Sequence, residues 1–200
     1  LPICRAGVAA FTTSTGYGIA KYDNPEELSV SDRNNIGYQY TDCPLYWISV
    51  IYLNFAEAKA EMGSLTQDDL NNSINKLQAR AGLPAMTTTP DADPANNMGV
   101  SNLIWEIRRC RRCELIMDNW YRYWDLIRWH QLDKLDSTKY PNTMLGANVS
   151  NVPDCEEATK NGYIDASDAQ IRTYEAKHYF YPIPTTQLTL NKNMKQNPGW

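Results

Sequence analysis

Residues that could do chemistry are few in this sequence, and their spacing matches no catalytic arrangement. His130 and His178 are the only histidines, which leaves few ways to build a metal site or a nucleophile–histidine pair. No GxSxG, HExxH, phosphate-binding loop or dinucleotide fingerprint occurs. Acidic residues are adjacent at 26–27, 68–69 and 156–157, but glycoside hydrolysis needs two carboxylates that face each other across a cleft. We therefore expect that the chain is not an enzyme.

Two further patterns resemble redox or metal sites, and both fall short. Cys110 and Cys113 form a CxxC in a chain with five cysteines, but the pair stands on a predicted helix without a second pair of ligands. The acidic loop at 91–96 has Ala95 at a ligand position and lacks the glycine of a calcium-binding loop. We expect neither a metal nor a cofactor, and ordinary structural roles for the two cysteines.

The aromatic residues are mainly of the kinds that have a polar group. The chain has six Trp and thirteen Tyr but three Phe, which suits contact with carbohydrate or peptide, although packing in a core is the alternative for each ring. The formal net charge of -4 at pH 7 argues against nucleic acid as a partner, because such proteins normally present a basic face. No run of about 18 apolar residues occurs, so no membrane span is expected. The sequence begins without Met or a signal peptide, so we expect a mature or truncated chain.

Charge and aromatic character are concentrated in residues 108–129, RRCRRCELIMDNWYRYWDLIRW. Opposite charges lie three or four residues apart in it: Arg111 and Glu114, Asp118 and Arg122, and Asp125 and Arg128. Large apolar side chains share another stripe: Trp120, Tyr123, Trp124 and Ile127. Because such offsets bring side chains to one face of a helix, the segment predicts a buried helical corner in which guanidinium groups satisfy carboxylates.

Helical periodicity predicts the elements that precede this corner. Apolar residues recur at three- and four-residue steps at Leu45, Ile48, Ile51, Tyr52, Phe55, Ala58 and Met62. This stripe predicts an amphipathic helix that ends at Gly63, with Glu57 and Glu61 on its polar side. A capping box at 66–69 opens a second helix, which Gly82 ends. Two helices separated by so few residues predict a tetratricopeptide-like hairpin, which needs neighbours to bury its faces.

The remainder of the chain divides into one further helical stretch and several irregular ones. Ser101 is a predicted N-cap for a helix that reaches Asn119, and a second helix is predicted from Trp120 to about Leu135. The other stretches are polar and loop-rich: residues 1–44, 84–100 and 136–178. Residues 179–200 contain prolines that favour an extended tail.

Four segments, in the same order, resemble the signature motifs of the SusD/RagB-type proteins. Residues 108–129 are similar to the family's RR-E-RR-x-EL-x-FEG-x-R-x-x-DL-x-RW, and residues 181–200, YPIPTTQLTLNKNMKQNPGW, to its closing Y-P-I-P…QNPGY. The helix YWISVIYLNFAEAKAEMG at 46–63 and KLQARAGLP at 76–84 also have counterparts in the family.

The resemblance implies a fold and a set of structural positions. It implies a mainly α protein with tetratricopeptide-like hairpins, a loop-rich irregular periphery and an extended C-terminal tail, in which residues 1–200 are the C-terminal part of the domain. The motif positions that it carries over are structural in the family: Arg112, Glu114, Arg122, Asp125, Arg128 and Trp129. Cys110, Asn119 and Lys192 depart from the residues usual in the family, and one extra residue follows Asp118.

The resemblance also implies a role. Family members are nutrient-binding lipoproteins of the outer membrane, exposed at the cell surface, that bind an oligosaccharide or a peptide for a TonB-dependent transporter. The lipid anchor would lie outside this chain. Aromatic rings form the ligand platform in glycan-binding members, and the tyrosines placed for that role here are Tyr17, Tyr22, Tyr38 and Tyr40. The alternatives are a helical docking module without a ligand site and, with less support, a glycan-processing enzyme.

Overall fold

The computed structural model describes residues 13–19, 21, 29, 31–32, 45–152, 159–167 and 169–200. Two compact units divide the chain: a helical unit, Cys43–Trp129, and a sheet unit, which combines Leu1–Asp42 with His130–Trp200. Helices dominate the described residues, as the mainly α prediction requires. Within these residues, no helix has the length and apolar character that crossing a membrane demands.

The helical unit is built on a core of apolar side chains from successive helices. These are α1 (Ile48–Glu61), α2 (Gln67–Asn71), α3 (Ile74–Arg80), α4 (Asn102–Glu114) and α5 (Tyr121–Arg128). α1 packs against both α4 and α3. The buried side chains that fill the space between the helices are Leu53, Ala56, Leu70, Ile74, Leu77, Met86, Ile107 and Leu115.

The capping box predicted at 66–69 is confirmed, but the helix it opens is shorter than predicted. The Thr66 hydroxyl accepts from the Asp69 N–H, and the Asp69 side chain accepts from the Thr66 N–H. The helix then breaks at Ser73, whose hydroxyl donates to the Asp69 carbonyl at 2.6 Å. Because this side chain competes for a backbone acceptor of the helix, α2 and α3 replace the single predicted helix.

The buried face of α1 differs from the predicted one. Leu53 and Ala56 are fully buried and Glu57 is 3% exposed, whereas most of the predicted stripe is exposed to solvent. The exposed members include Leu45 at 74%, Ile48 at 64%, Ile51 at 60%, Phe55 at 43% and Met62 at 70%. The prediction was wrong because α1 is apolar on two faces, and the face that carries a carboxylate for the arginines of α4 and α5 is the one that packs.

The predicted corner at 108–129 is also shorter in its helices. α4 ends at Glu114, and Met117, Asn119 and Trp120 then have positive φ angles of 64°, 35° and 57°. α5 ends at Arg128 instead of continuing to residue 135, because His130 has a φ of 52°, and left-handed residues end helices. Trp120 and Trp124, predicted to be buried, are 80% and 55% exposed.

The sheet unit contains a small antiparallel sheet that periodicity had not predicted. Its strands are β1 (Leu145–Asn148), β2 (Thr159–Lys160) and β3 (Tyr163–Asp165), in the order β1-β3-β2. The β2–β3 turn is Asn161-Gly162, with φ angles of 54° and 80°, the pattern of a two-residue hairpin loop. Ala147, Val149 and Ile164 form its buried apolar cluster.

Short helical turns complete the sheet unit. They are 3-10 helices at Leu132–Leu135, Pro141–Met144 and Ala176–Tyr179, and α6 at Thr185–Leu190. The tail was predicted to be extended, and α6 corrects this prediction because Pro184, at φ -55°, is suited to the start of a helix. The flanking segments do lie side by side, since Gln196 Oε1 accepts from the Ile183 N–H at 2.8 Å.

Candidate functional site

Glu57 is the centre of a buried polar network in the helical unit. Its Oε1 accepts from Trp129 Nε1 at 2.6 Å and from Arg108 Nε at 3.3 Å. Its Oε2 accepts from Arg128 Nη2 at 2.5 Å. The Glu57 side chain is 4% exposed, so these donors replace the hydrogen bonds to water that the carboxylate loses on burial.

Asp125 is the second acidic group of the network. Its Oδ2 accepts from Arg111 Nε at 2.7 Å, and its Oδ1 accepts from Arg128 Nε at 2.8 Å. Arg111 also donates through Nη1 to Asn54 Oδ1 at 2.8 Å. Burial acts to lower the pKa of Arg128, but its hydrogen bonds with Glu57 and Asp125 outweigh burial and raise it. Arg128 therefore connects the two carboxylates and stays charged.

The Trp129 ring is part of the same arrangement. The guanidinium carbons of Arg108 and Arg128 lie 4.6 and 4.7 Å from its ring centroid, within the range of cation–π attraction. The network thus joins α1, α4 and α5 by charge, hydrogen bonds and aromatic contact. Its carboxylates are occupied by arginines, and this arrangement suits a structural role.

The structure separates the predicted motif residues into two groups. Asp125, Arg128 and Trp129 belong to the network, and the predicted Asp125–Arg128 pair is confirmed. Glu114 pairs with Arg80, and the Arg80 Nη2 lies 2.7 and 2.6 Å from the two carboxyl oxygens of Glu114. The predicted Arg111–Glu114 pair is therefore wrong, because Arg111 points to Asp125 in the core.

Arg112 and Arg122 form the other group, since neither has an ion pair within the described part of the chain. The predicted Asp118–Arg122 pair fails because α4 ends at Glu114, so helical spacing does not apply between the two. The pKa of Arg122 falls to about 10 through burial and the neighbouring charge of Arg112, with Asp125 acting in the opposite direction.

Sequence reasoning missed the most connected residue of the network. Glu57 was predicted on the polar side of α1, and the structure buries it. The signal was available in residues 108–112, because an arginine that a helix buries against its neighbours needs an acidic partner there. Lys59, which lies beside Glu57 in the sequence, instead pairs with Asp69 at 2.8 Å.

The predicted ligand-binding tyrosines are described only in part. Tyr17 lies in the short segment 13–19 of the sheet unit and is 62% exposed. Tyr22, Tyr38 and Tyr40 lie outside the described residues, so their role as a platform stays a prediction. The exposure of Tyr17 is compatible with contact to a ligand.

Asp93 of the acidic loop has hydrogen-bond partners, and Cys110 of the CxxC packs against the core of the helical unit. Asp93 accepts from Trp105 Nε1 at 3.1 Å and from the Ala95 N–H at 2.8 Å. Burial, followed by the charges of Glu114 and Cys113, raises the pKa of the Cys110 thiol to about 12. Across the part of the chain that the structure describes, no three His, Cys, Asp or Glu side chains are grouped to hold a metal ion.

Each unit has a cavity lined by described residues. The helical unit has one of about 190 Å³ between α3 and α4, lined by Leu77, Leu83, Arg109 and Cys113 among others. The sheet unit has one of about 230 Å³ with several polar groups in its wall, including Lys160, Asp165 and Gln170.

The fold and the network define a helical module held together by buried ion pairs. The model of the SusD family matches residues 6–200, and the chain belongs to this family. A solved structure of a SusD-like protein from Bacteroides fragilis is 25% identical in sequence, with a TM-score of 0.49. The match covers 76% of this chain and 25% of that protein, so the chain spans about a quarter of its length. No curated protein matches the chain.

Proposed function

We propose that this protein is a cell-surface substrate-binding subunit, which captures an oligosaccharide, or alternatively a peptide, and delivers it to a TonB-dependent outer-membrane transporter. The observation that carries the proposal is the family match over residues 6–200. In this proposal residues 1–200 are the C-terminal part of the domain, which a lipid attached elsewhere anchors at the outer membrane.

The described polar groups support binding rather than catalysis. The buried carboxylates Glu57 and Asp125 are each held by two arginines. A general acid or base needs a carboxyl group that can exchange protons with a substrate. The helical unit would therefore act as a rigid support, and ligand contact would fall to exposed aromatic rings such as Tyr17.

Calorimetry tests the binding role. We expect saturable heat from a panel of starch, xylan, mannan and pectin oligosaccharides or of short peptides. Tyr17→Ala should weaken binding by about tenfold if its ring stacks on the ligand. Tyr46→Ala is the matched control, because Tyr46 is 90% exposed but lies in the helical unit. Absence of heat from every glycan and peptide would refute the proposal.

A docking role is the second candidate, and one observation favours it. Ile48, Ile51, Phe55 and Met62 form an exposed apolar stripe on α1, and patches of this kind mark interaction sites. Under this proposal the stripe contacts a partner protein, and the helical unit has no ligand site of its own.

Co-purification with a TonB-dependent transporter tests the docking role. We expect Ile51→Glu to abolish co-purification if the stripe is the docking surface. Leu190→Glu, at an 80% exposed leucine of the sheet unit, serves as the control and should have no effect. Unchanged co-purification of the Ile51→Glu variant would exclude the stripe.

A further inference from the structure

The cavity of the sheet unit has the size of a site for one small ring. Its volume is about 230 Å³, below the 300–1,000 Å³ of sites for drug-sized ligands. Its walls come from the three strands and from residues 137–138, 141, 144, 167 and 169–171, so it is formed by the sheet unit alone and opens to solvent. Its volume matches one sugar unit, and the further units of a longer chain would extend out of it.

Three polar side chains in its wall have donors or acceptors that are available for hydrogen bonds to a ligand. Lys160 forms no ion pair, and the Gln170 amide forms no hydrogen bond, within the described residues. Asp165 Oδ1 accepts from the Ser167 N–H at 3.0 Å and from its hydroxyl at 2.5 Å. A carboxylate has about four acceptor positions, so Asp165 can accept further donors.

The Asp165 side chain is a charged carboxylate. Hydrogen bonds from the Ser167 side chain and backbone lower its pKa, against the opposing effect of burial, and the Lys160 charge and the Ala169 N–H lower it further. The cavity therefore offers an anionic acceptor, a cationic donor, and an amide that can do both. Because the two charges cancel, the wall does not select a ligand with a net charge.

The rest of the wall is partly apolar. Met144, Leu145, Ile171 and Pro141 supply its apolar part, and Ser137, Thr138 and Ser167 add hydroxyl groups. A ligand that suits both parts needs an apolar face and an edge of hydroxyl groups, which is the make-up of a pyranose ring. Small-molecule sites commonly combine apolar walls with a few converging polar groups in this way.

We propose that this cavity binds a single neutral monosaccharide unit, with hydroxyl groups donating to Asp165 and accepting from Lys160 and Gln170. The inference rests on the proposed function, because it gives the captured oligosaccharide a second point of contact, apart from the tyrosines. An amino acid zwitterion is the competing ligand, since it could pair with Lys160 and Asp165 at once.

NMR titration of the purified protein tests the inference. The probes are D-glucose, D-galactose, D-mannose and N-acetyl-D-glucosamine, with glycine as the zwitterion. We expect at least one sugar to give saturable chemical-shift changes. Lys160→Met and Gln170→Ala should each lower the affinity for that sugar by about tenfold, since each removes a hydrogen-bond donor. Lys139→Met and Gln187→Ala are matched controls at exposed residues of the same unit that do not line the cavity.

The outcomes separate this inference from the proposed function. The cavity proposal would be overturned if only glycine gave saturable binding, or if no sugar did. It would also be overturned if a sugar bound wild type and both cavity variants with equal affinity. Oligosaccharide binding that is unchanged in the Lys160→Met, Gln170→Ala double variant would also overturn it and would leave the proposed function standing. Loss of monosaccharide binding in the cavity variants, with both controls unchanged, would support it.

Discussion

The two units use their acidic side chains differently. In the helical unit, Asp125 accepts from Arg111, 14 residues away, and Glu57 accepts from Arg128, 71 residues away. In the sheet unit, Asp165 accepts from Ser167, two residues away, and Asp136 does the same with Thr138. Acidic groups therefore tie separate helices together in the helical unit. In the sheet unit they shape their own turns, and Asp136 also accepts from the Tyr174 N–H, 38 residues away.

The donors differ as much as the distances. The helical unit supplies arginines, which remain charged when an acid is removed, whereas the sheet unit supplies hydroxyl and backbone N–H groups. A buried charge without a partner costs more than a neutral donor without one. We therefore expect substitution of an acid to destabilise the helical unit more than the sheet unit.

Glu57→Ala should give the largest effect. It leaves the buried Trp129 Nε1 without an acceptor and removes one of the two carboxylate partners of Arg108 and of Arg128. We expect the free energy of unfolding to fall by about 3–5 kcal/mol, measured by urea denaturation. Glu61→Ala is the control on the same helix: Glu61 is half exposed, at 49%, so its loss should cost about 1 kcal/mol or less. Equal losses for both would refute the central role of Glu57.

Asp125→Ala and Arg122→Ala compare two residues of the family motif, of which only Asp125 has ion pairs in the network. Asp125 has two arginine partners, and its replacement should cost about 2–4 kcal/mol. Arg122 has no ion pair in the described chain, so Arg122→Ala should lower the free energy of unfolding by about 1 kcal/mol or less. Urea denaturation of both variants checks this, and a larger loss for Arg122→Ala would show that the pairing in the network is misassigned.

Sequence patterns predicted part of this architecture, and the limits are physical. Periodicity located α1 and α4, and the capping box located the start of α2. Periodicity could not choose between the two apolar faces of α1, because the choice depends on which helix packs against it. Spacing likewise predicted ion pairs within one helix, whereas Arg111 and Glu57 found partners on other helices.

The sheet shows the same limit. Its strands are two to four residues long, too short for alternation to be visible, and only the Asn161-Gly162 turn marked them. The candidate cavity could not be predicted for a related reason, since Lys160, Asp165 and Gln170 come together only when the strands pair. Family resemblance predicted the fold class and gave no information on that cavity.

Acid should weaken the sheet unit through Asp136. Hydrogen bonds from the Thr138 side chain and the Tyr174 N–H lower the pKa of Asp136 from 3.8 to about 2. Because the pKa is lower in the folded state, the stabilisation is fully present above pH 3.8 and is lost as the pH falls toward about 2. We expect the Tm of wild type to exceed that of Asp136→Asn at pH 5, with the difference shrinking as the pH falls to 2. A constant difference would show that ionisation of Asp136 does not contribute.

The smallest effects give the most direct comparison of the units, because one substitution can be made in each at an exposed asparagine. Asn54 Oδ1 accepts from the buried Arg111 at 2.8 Å, whereas Asn148 Oδ1 accepts from the Ser150 N–H two residues on at 3.0 Å. Asn54→Ala should lower the free energy of unfolding by about 1–2 kcal/mol, since it removes a hydrogen bond to a charged group. Asn148→Ala should cost about 0.5 kcal/mol or less. If urea denaturation ranks them in the reverse order, long-range pairing to arginine is not what distinguishes the helical unit from the sheet unit.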